Sequence, residues 1–273
     1  MAKHKHAGNI RKVIHLLEKL DRMESIDQSH AHVRCWFRGH GDESWDLAPG
    51  VYRSDFPVTT EEQRLELEQR LTQDYRVMSA GIRTGDEGEA ELYFLQQHYR
   101  MKTRLLDWTN NPLAALYFAA SSKPDKDGAL FVMDAYQLGP SQKGKYTMQM
   151  GIDKYITKEF RGIADSRHPV FQDALHVIFW WDGEKTFPDF IFPVRPDYFD
   201  PRITLQRGCF TFHVPNRGVL SENENPTLKS YVVPSQDKPE ILRQLAILGV
   251  DDFSIFGDLE HLSNRLKAAY SIR

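Results

Sequence analysis

Three arginines, Arg38, Arg104 and Arg202, stand far apart in this 273-residue sequence, each with aromatic or amide residues nearby. A guanidinium fork grips phosphate through paired hydrogen bonds, an aromatic ring stacks on a base, and an amide reads a ring edge. With Trp36, Tyr99, Trp108 and Tyr117 as rings and Thr109, Asn111 and Gln206 as polar groups, the set suits a nucleotide or dinucleotide. Its densest part is Thr103-Arg-Leu-Leu-Asp-Trp-Thr109, which stops just before Asn111-Pro112. Asn is a good N-cap and Pro fits the first helical turn, so a helix starts there, and its free N–H groups attract anions. Arg104, Asp107, Trp108 and Thr109 therefore form a candidate ligand wall. The plainer alternative is a buried Arg104–Asp107 pair that fixes the connection, because buried charges are kept paired. The two are compatible. Asp107 is expected to orient Arg104 or Arg38, so that its removal costs about 3 to 5 kcal/mol. His98 is either a base or a hydrogen-bonded structural group.

The best-marked enzyme signatures are missing: no Gly-rich phosphate loop ending in Lys-Ser/Thr, no Gly-x-Gly-x-x-Gly, no His-Glu-x-x-His, no Cys-x-x-Cys and no Gly-x-Ser-x-Gly. The 11 histidines are scattered, and no metal site is expected.

These residues need a scaffold to bring them together. Arg34 to Gly39 alternates as a strand, with Cys35 and Phe37 on one side and Trp36 and Arg38 on the other. Gly39 then admits a ligand or another backbone closely. The helix from Pro112 is apolar all round and must be buried. Ile10 to Met23 is amphipathic, and Thr60 with Gln63 caps a long helix whose core face carries Leu67, Leu71, Tyr75 and Met78. Glu89 to Arg100 presents Leu92, Leu95 and Tyr99 to the core. Ala129 to Met133 is a buried strand, residues 139–151 resemble a flap, and helical patterning returns over Ile152 to Phe160. Apolar elements follow at Ala174 to Trp181 and Phe190 to Pro193, with a hairpin corner at Trp180 to Gly183. From Arg202 a polar loop carrying Gln206 leads into an alternating strand ending at His213. Glu222 and Glu224 lie in a loop, Leu228 to Val233 is a strand, and two helices close the chain after Pro239 and Asp258.

The fold class expected is a single α+β domain over residues 1–273, with a central mixed or antiparallel sheet flanked by helices. Residues 1–30 form an N-terminal helical extension, and the helices of 235–273 pack on the same core. The sheet should bring Arg38 near Asp107. A hydrophobic content of 41% supports a proper core, and a net charge of -3 argues against general duplex binding. Cys35 and Cys209 sit in apolar runs, which fits buried thiols in a reducing cytosol. No run approaches the ~20 apolar residues that span a bilayer, so no membrane partner and a cytoplasmic location are expected. The oligomeric state stays open.

Several separated motifs share one order: Trp36-Phe-Arg-Gly39, Trp45-Asp-Leu-Ala-Pro49 with Arg53, Gln97-His98-Tyr99, Thr103 to Thr109, Asn111-Pro112, Tyr117-Phe-Ala119, Arg202 with Gln206-x-Gly208-x-Phe210, and Phe256-Gly-Asp-Leu259. Together they resemble the FRG domain family, named for its Phe/Tyr-Arg-Gly motif. The chain departs from that pattern at His40, where Gln often follows the Gly, and at Arg100-Met-Lys102, which replaces a Gly-x-Pro turn. The resemblance implies a fold grouping and a setting in phage-related or defence systems, with little defined chemistry.

The order of parts is also similar to ADP-ribosyltransferases at the level of fold analogy. That similarity implies Arg38 on the NAD phosphate and ribose, Thr109 with nearby aromatics on nicotinamide, and Gln206 or the Glu222/Glu224 pair at the reacting centre. Arg104, Asp107, Trp108, Asn111, Tyr117, Arg202 and His98 would complete the binding site, with NAD as co-substrate and a protein or nucleic acid as acceptor. Three functions stay open: an NAD-consuming ADP-ribosyltransferase, a nucleotide or nucleic-acid binding and sensing module, and a metal-independent nuclease-type effector.

Overall fold

Strict alternation builds the sheet. In the computed structural model, which describes residues 5–23, 34–83, 85, 87–139, 145–149, 155–159, 162–180 and 185–270, its central strands are β1 (Cys35–His40), β2 (Leu105–Thr109) and β3 (Gly128–Asp134). A two-stranded hairpin follows from β4 (Lys145–Gln149) and β5 (Tyr155–Glu159), and β6 (Ala164–Asp165), β7 (Phe192–Arg195), β8 (Gly208–Phe212) and β9 (Lys229–Val233) complete the main sheet. That sheet has seven strands in the order β6-β7-β8-β2-β1-β3-β9, antiparallel except for the β6–β7 pair. The fold is a mixed α+β arrangement, one open sheet flanked by helices.

The two faces differ in cover. Trp36, Leu106, Trp108, Phe131, Met133 and Cys209 share one face and pack beneath Leu47, Leu220 and Leu228. The other face is covered by helices in two groups. Over β1, β3 and β9 lie α1 (Val13–Asp21), α4 (Pro112–Ser121) and α7 (Lys238–Ile247), burying Cys35, Phe37, Leu130, Val132 and Tyr231. Over β2, β8 and β7 lie α3 (Glu89–His98) and α5 (Pro169–Trp180), burying Leu105, Phe210 and Phe212. The long α2 (Glu61–Met78) packs outside them, contacting both α3 and α5. Between the two groups β1 and β2 pair only at Phe37 and Thr109, whereas β1 and β3 stay in register from Cys35 to His40. The sheet is loosest along that seam.

Helix α4 sits close to the sheet because Ala114, Ala115, Ala119 and Ala120 are small and fully covered. Gly39 makes the approach possible: a Cβ there would lie 2.0 Å from Ala115 O, so the backbone that Gly39 admits is that of α4. Asn111 caps the helix by accepting from the N–H groups of Leu113 and Ala114, with Pro112 in the first turn.

Several expectations are corrected. Residues 201–206 are not a loop but the short helix α6 (Pro201–Gln206), whose cap Asp200 accepts from Arg202 N and Ile203 N. The fully buried residues of α2 are Glu68 and Thr72, whereas Leu67, Leu71 and Tyr75 are half-buried and Met78 is 79% exposed, so the inward face of α2 carries polar groups as well as the expected apolar ones. Tyr99 is exposed because α3 ends at His98. The 152–160 stretch holds strand β5 where a helix is expected, and its other residues, like 181–184 of the hairpin corner and most of the 139–151 flap, lie outside the described residues. The segment before α1 is tied to the sheet edge through the Asn9–Val232 bridge. At the other end, a short α8 (Asp252–Phe256) precedes α9 (Leu259–Ala269). Helix α9 buries no residue, so of the two closing helices only α7 is packed into the core.

Candidate functional site

A cleft of about 400 Å³ opens at the seam between β1 and β2. β1 contributes Phe37 and Arg38, β2 contributes Asp107 and Thr109, and the end of α3 contributes Gln97 and His98. Arg100 follows α3, Phe118 comes from α4, and α6 and α8 supply Arg202, Gln206 and Phe256.

Arg38 bridges the gap where the ladder fails. Its Nη1 donates to the backbone carbonyl of Asp107 and its Nε donates to His40 Nε2 at 2.8 Å. Burial, with Arg53 nearby, pushes its pKa down to about 10 against the pull of Asp107, which leaves it protonated at neutral pH. The Asp107 carboxylate lies 3.6 Å from Arg38 Nη1, yet its side chain is 56% exposed. Gln97 Nε2 donates to it at 2.9 Å, and Thr103 Oγ1 donates to Gln97 Oε1 at 2.6 Å, so the amide orientation is set by a chain of partners.

His98 Nδ1 lies 3.0 Å from Asp200 Oδ1, and the same carboxylate caps α6. Burial lowers the His98 pKa, with Asp200 opposing it, so the imidazole is neutral at pH 7. Thr109 Oγ1 donates to Gln206 O at 2.5 Å, and Gln206 Nε2 donates to Ile255 O at 3.3 Å. Gln206 thereby joins β2 to α8. Arg202 Nη2 donates to Asp258 at 3.1 Å, and its guanidinium lies over Phe256 at 5.1 Å. Hydrogen bonds from His261 and from Arg202 hold the Asp258 pKa down at about 2.

Of the residues singled out from sequence, the cleft brings together Arg38, His98, Asp107, Thr109, Arg202 and Gln206. Arg104 is not among them. It is fully buried, and its Nε pairs with Glu68 Oε2 at 2.6 Å, so neither a ligand contact nor a pair with Asp107 describes it. Period-two alternation sends Asp107 and Trp108 to opposite faces of the sheet; Trp108 lines the cleft but is buried, and its Nε1 donates to Thr211 Oγ1 at 3.1 Å. Tyr117, on α4, is buried and donates to Asp252, while Asn111 is spent on its cap. Glu222 and Glu224 are not among the residues that line the cleft, and Glu224 accepts from Ser221 and pairs with Arg217. The loop that carries them is pinned to Leu47 through Leu220.

The cleft also contains residues not selected from sequence: Gln97, Arg100, Trp45, Phe118 and Phe256. Trp45, Gln97, Phe118 and Phe256 stood within the separated motifs and Arg100 at a departure from them, and that placement was the available signal. The assembled cleft combines three arginines and a neutral histidine with one half-exposed carboxylate and several rings. Such a set has the chemistry to hold an anion through its guanidinium groups, and it also contains one carboxylate able to stabilise positive charge. Among the described residues no cluster of His, Cys, Asp or Glu is arranged to hold a metal ion, and no helix is long and apolar enough to cross a membrane.

No curated protein and no solved structure matches the chain. The family match covers β1, α2, α3, β2 and α4 but stops before α6 and α8, so Arg202, Gln206 and Phe256 reach the cleft from outside it. Residues 33–128 match the FRG domain, with the Phe37-Arg38-Gly39 motif in the first strand of that stretch.

Proposed function

We propose that the cleft binds NAD and that the protein is an ADP-ribosyltransferase-like enzyme that consumes it. One observation carries this: Asp107, a half-exposed carboxylate, faces a cleft whose other charged side chains are cationic and whose walls are aromatic. Arg38 and Arg202 suit a pyrophosphate, and Trp45 and Phe118 offer aromatic surface to the bases.

In the reaction, the bond from ribose C1′ to the nicotinamide nitrogen breaks, and its electron pair leaves with nicotinamide, which becomes neutral. The ribose is left oxocarbenium-like, and a carboxylate beside it lowers the barrier as in glycoside cleavage. Asp107 takes this role in place of Glu222 and Glu224, which the cleft does not contain. An acceptor hydroxyl, from a protein, a nucleic acid or water, adds to C1′ and gives up one proton. Neutral His98, oriented by Asp200, is the base suited to receive it. Gln206, with its amide held by Ile255, positions α8 and is not a reacting group. An NAD-consuming effector of this kind belongs in the cytoplasm and suits the defence settings that the family resemblance implies.

The test is nicotinamide release from NAD, followed by chromatography, for the wild type and Asp107→Asn. Release by the wild type and a loss of about a hundredfold or more in the variant, with NAD affinity little changed, is the expected result. NAD binding without release would make the protein a sensing module. Cleavage of an added oligonucleotide without release would make it a nuclease-type effector.

A further inference from the structure

Arg100 occupies a backbone position that side chains avoid. It follows Tyr99, the C-cap residue of α3, and has φ +65°. Its own N–H donates to Gln97 O at 3.1 Å, and the N–H of Met101 donates to Gln96 O at 2.9 Å. These two bonds form the Schellman closure of a helix, whose left-handed residue is usually Gly because a Cβ there crowds the backbone. Helix α3 would close on Gly with less strain.

The side chain of Arg100 explains what the strain retains. It is exposed and borders the cleft, and among the described residues its guanidinium has no hydrogen-bond or ion-pair partner. The other two arginines of the cleft are engaged, Arg38 by His40 and Asp107, and Arg202 by Asp258. The negative end of α3 attracts a cation, but a cation placed within its last turn would gain that benefit without a left-handed backbone. Backbone strain persists at binding sites where the group it presents meets a ligand.

We infer that Arg100 is an anion subsite of the cleft, separate from the pyrophosphate positions at Arg38 and Arg202, and that it selects a dinucleotide carrying an additional phosphate monoester, as NADP does. This rests on the nucleotide function proposed above. A phosphate monoester brings nearly two negative charges at neutral pH and three acceptor oxygens, the complement of an unpaired guanidinium fork.

The test is calorimetric titration of NAD and of NADP into the full chain and its Arg100→Gly and Arg100→Lys variants, with a melting curve for each. The wild type should bind NADP about tenfold or more tightly than NAD, the size of one charge-assisted contact. Arg100→Gly should bind NAD as the wild type does, lose the preference for NADP, and melt at the same temperature or a few degrees higher because the strain is relieved. Arg100→Lys should keep part of the preference, since the charge stays and the fork is lost. Equal affinity of the wild type for NAD and NADP overturns the assignment while leaving the nucleotide cleft standing, and so does a preference that survives in Arg100→Gly. A marked fall in melting temperature on Arg100→Gly makes Arg100 a structural residue. Binding of neither dinucleotide sinks the cleft's nucleotide function and this subsite together.

Discussion

Glu68→Gln should destabilise the protein strongly although it removes only a charge. Glu68 and Arg104 have side chains 2% and 0% exposed and lie 2.6 Å apart. Tyr93 OH donates to the other Glu68 oxygen at 2.6 Å, and that bond survives the substitution because an amide oxygen also accepts. What remains is a buried guanidinium with its counter-charge gone, held by Tyr52 OH and by the rings of Phe187 at 4.6 Å and Tyr52 at 5.5 Å. Breaking one side of a buried pair costs about 3 to 5 kcal/mol. At about 2 to 4 °C per kcal/mol for a chain of this size, the melting temperature should fall by roughly 6 to 20 °C. Urea unfolding followed by tryptophan fluorescence and by circular dichroism measures it. The double variant Glu68→Leu/Arg104→Met, apolar and close in volume, should recover most of the loss, because two desolvated charges are replaced by packing. A Glu68→Gln protein within about 1 kcal/mol of the wild type, or a double variant no more stable than the single one, would refute the account of this pair.

Asp107→Ala should cost at most about 1 kcal/mol of stability, the worth of a solvent-exposed pair, which reverses the loss expected from a buried one; urea unfolding decides between them. Stability should fall with acid because of His213: burial holds its pKa near 3, so the folded state keeps it neutral while the unfolded chain takes up a proton below about 6.5. Between those values the slope should approach about 1.4 kcal/mol per pH unit from this group, and His213→Gln should flatten it. Its environment explains the neutrality, since Trp108 Nε1 donates to Thr211, Thr211 Oγ1 lies 3.0 Å from His213 Nε2, and Nδ1 lies 3.2 Å from Gly218 O. Lys238→Met should cost at least about 1 to 3 kcal/mol and weaken ligand binding, because Lys238 Nζ donates to the carbonyls of Gly41, Ser122 and Lys123, and the first two residues border the cleft. A melting curve and a titration of the same variant check both.

Periodicity made the elements legible where burial follows apolarity. The alternation of Cys35, Phe37 against Trp36, Arg38 is the division of β1 between its two cores, and the all-apolar run after Pro112 is the covered helix α4. On α2 it was incomplete, because Leu67 and Leu71 are half-buried as their spacing suggests while the fully covered residue beside them is Glu68. The reason is tertiary: Glu68 is stable inside only because Arg104, a distant residue at the entry to β2, is brought against it. Helix α6 was legible but missed, since Asp200-Pro201 is a cap followed by a first-turn proline, the same signal that located α4. The period-two rule also separates Asp107, half-exposed in the cleft, from the buried Trp108 on the opposite face.

The three motif residues at β1 each perform a separate task, and the cleft depends on their order. Phe37 makes the single registered pair between β1 and β2, opposite Thr109, and buries its ring in the α4 core. Beyond it, Gly39 lets the α4 backbone settle onto β1, so α4 covers β1 and leaves the adjoining face of β2, with Asp107, open. The strands then part, and a parted ladder leaves carbonyl groups that need donors. Arg38 supplies one to Asp107 O from a side chain long enough to span the gap, keeping its charge at the floor of the cleft. A lysine could fill the gap but could not donate to His40 and to Asp107 O from two fixed nitrogens at once. The opening, its cation and the exposure of its carboxylate thus follow from one packing event, the seating of a small-residue helix on a glycine.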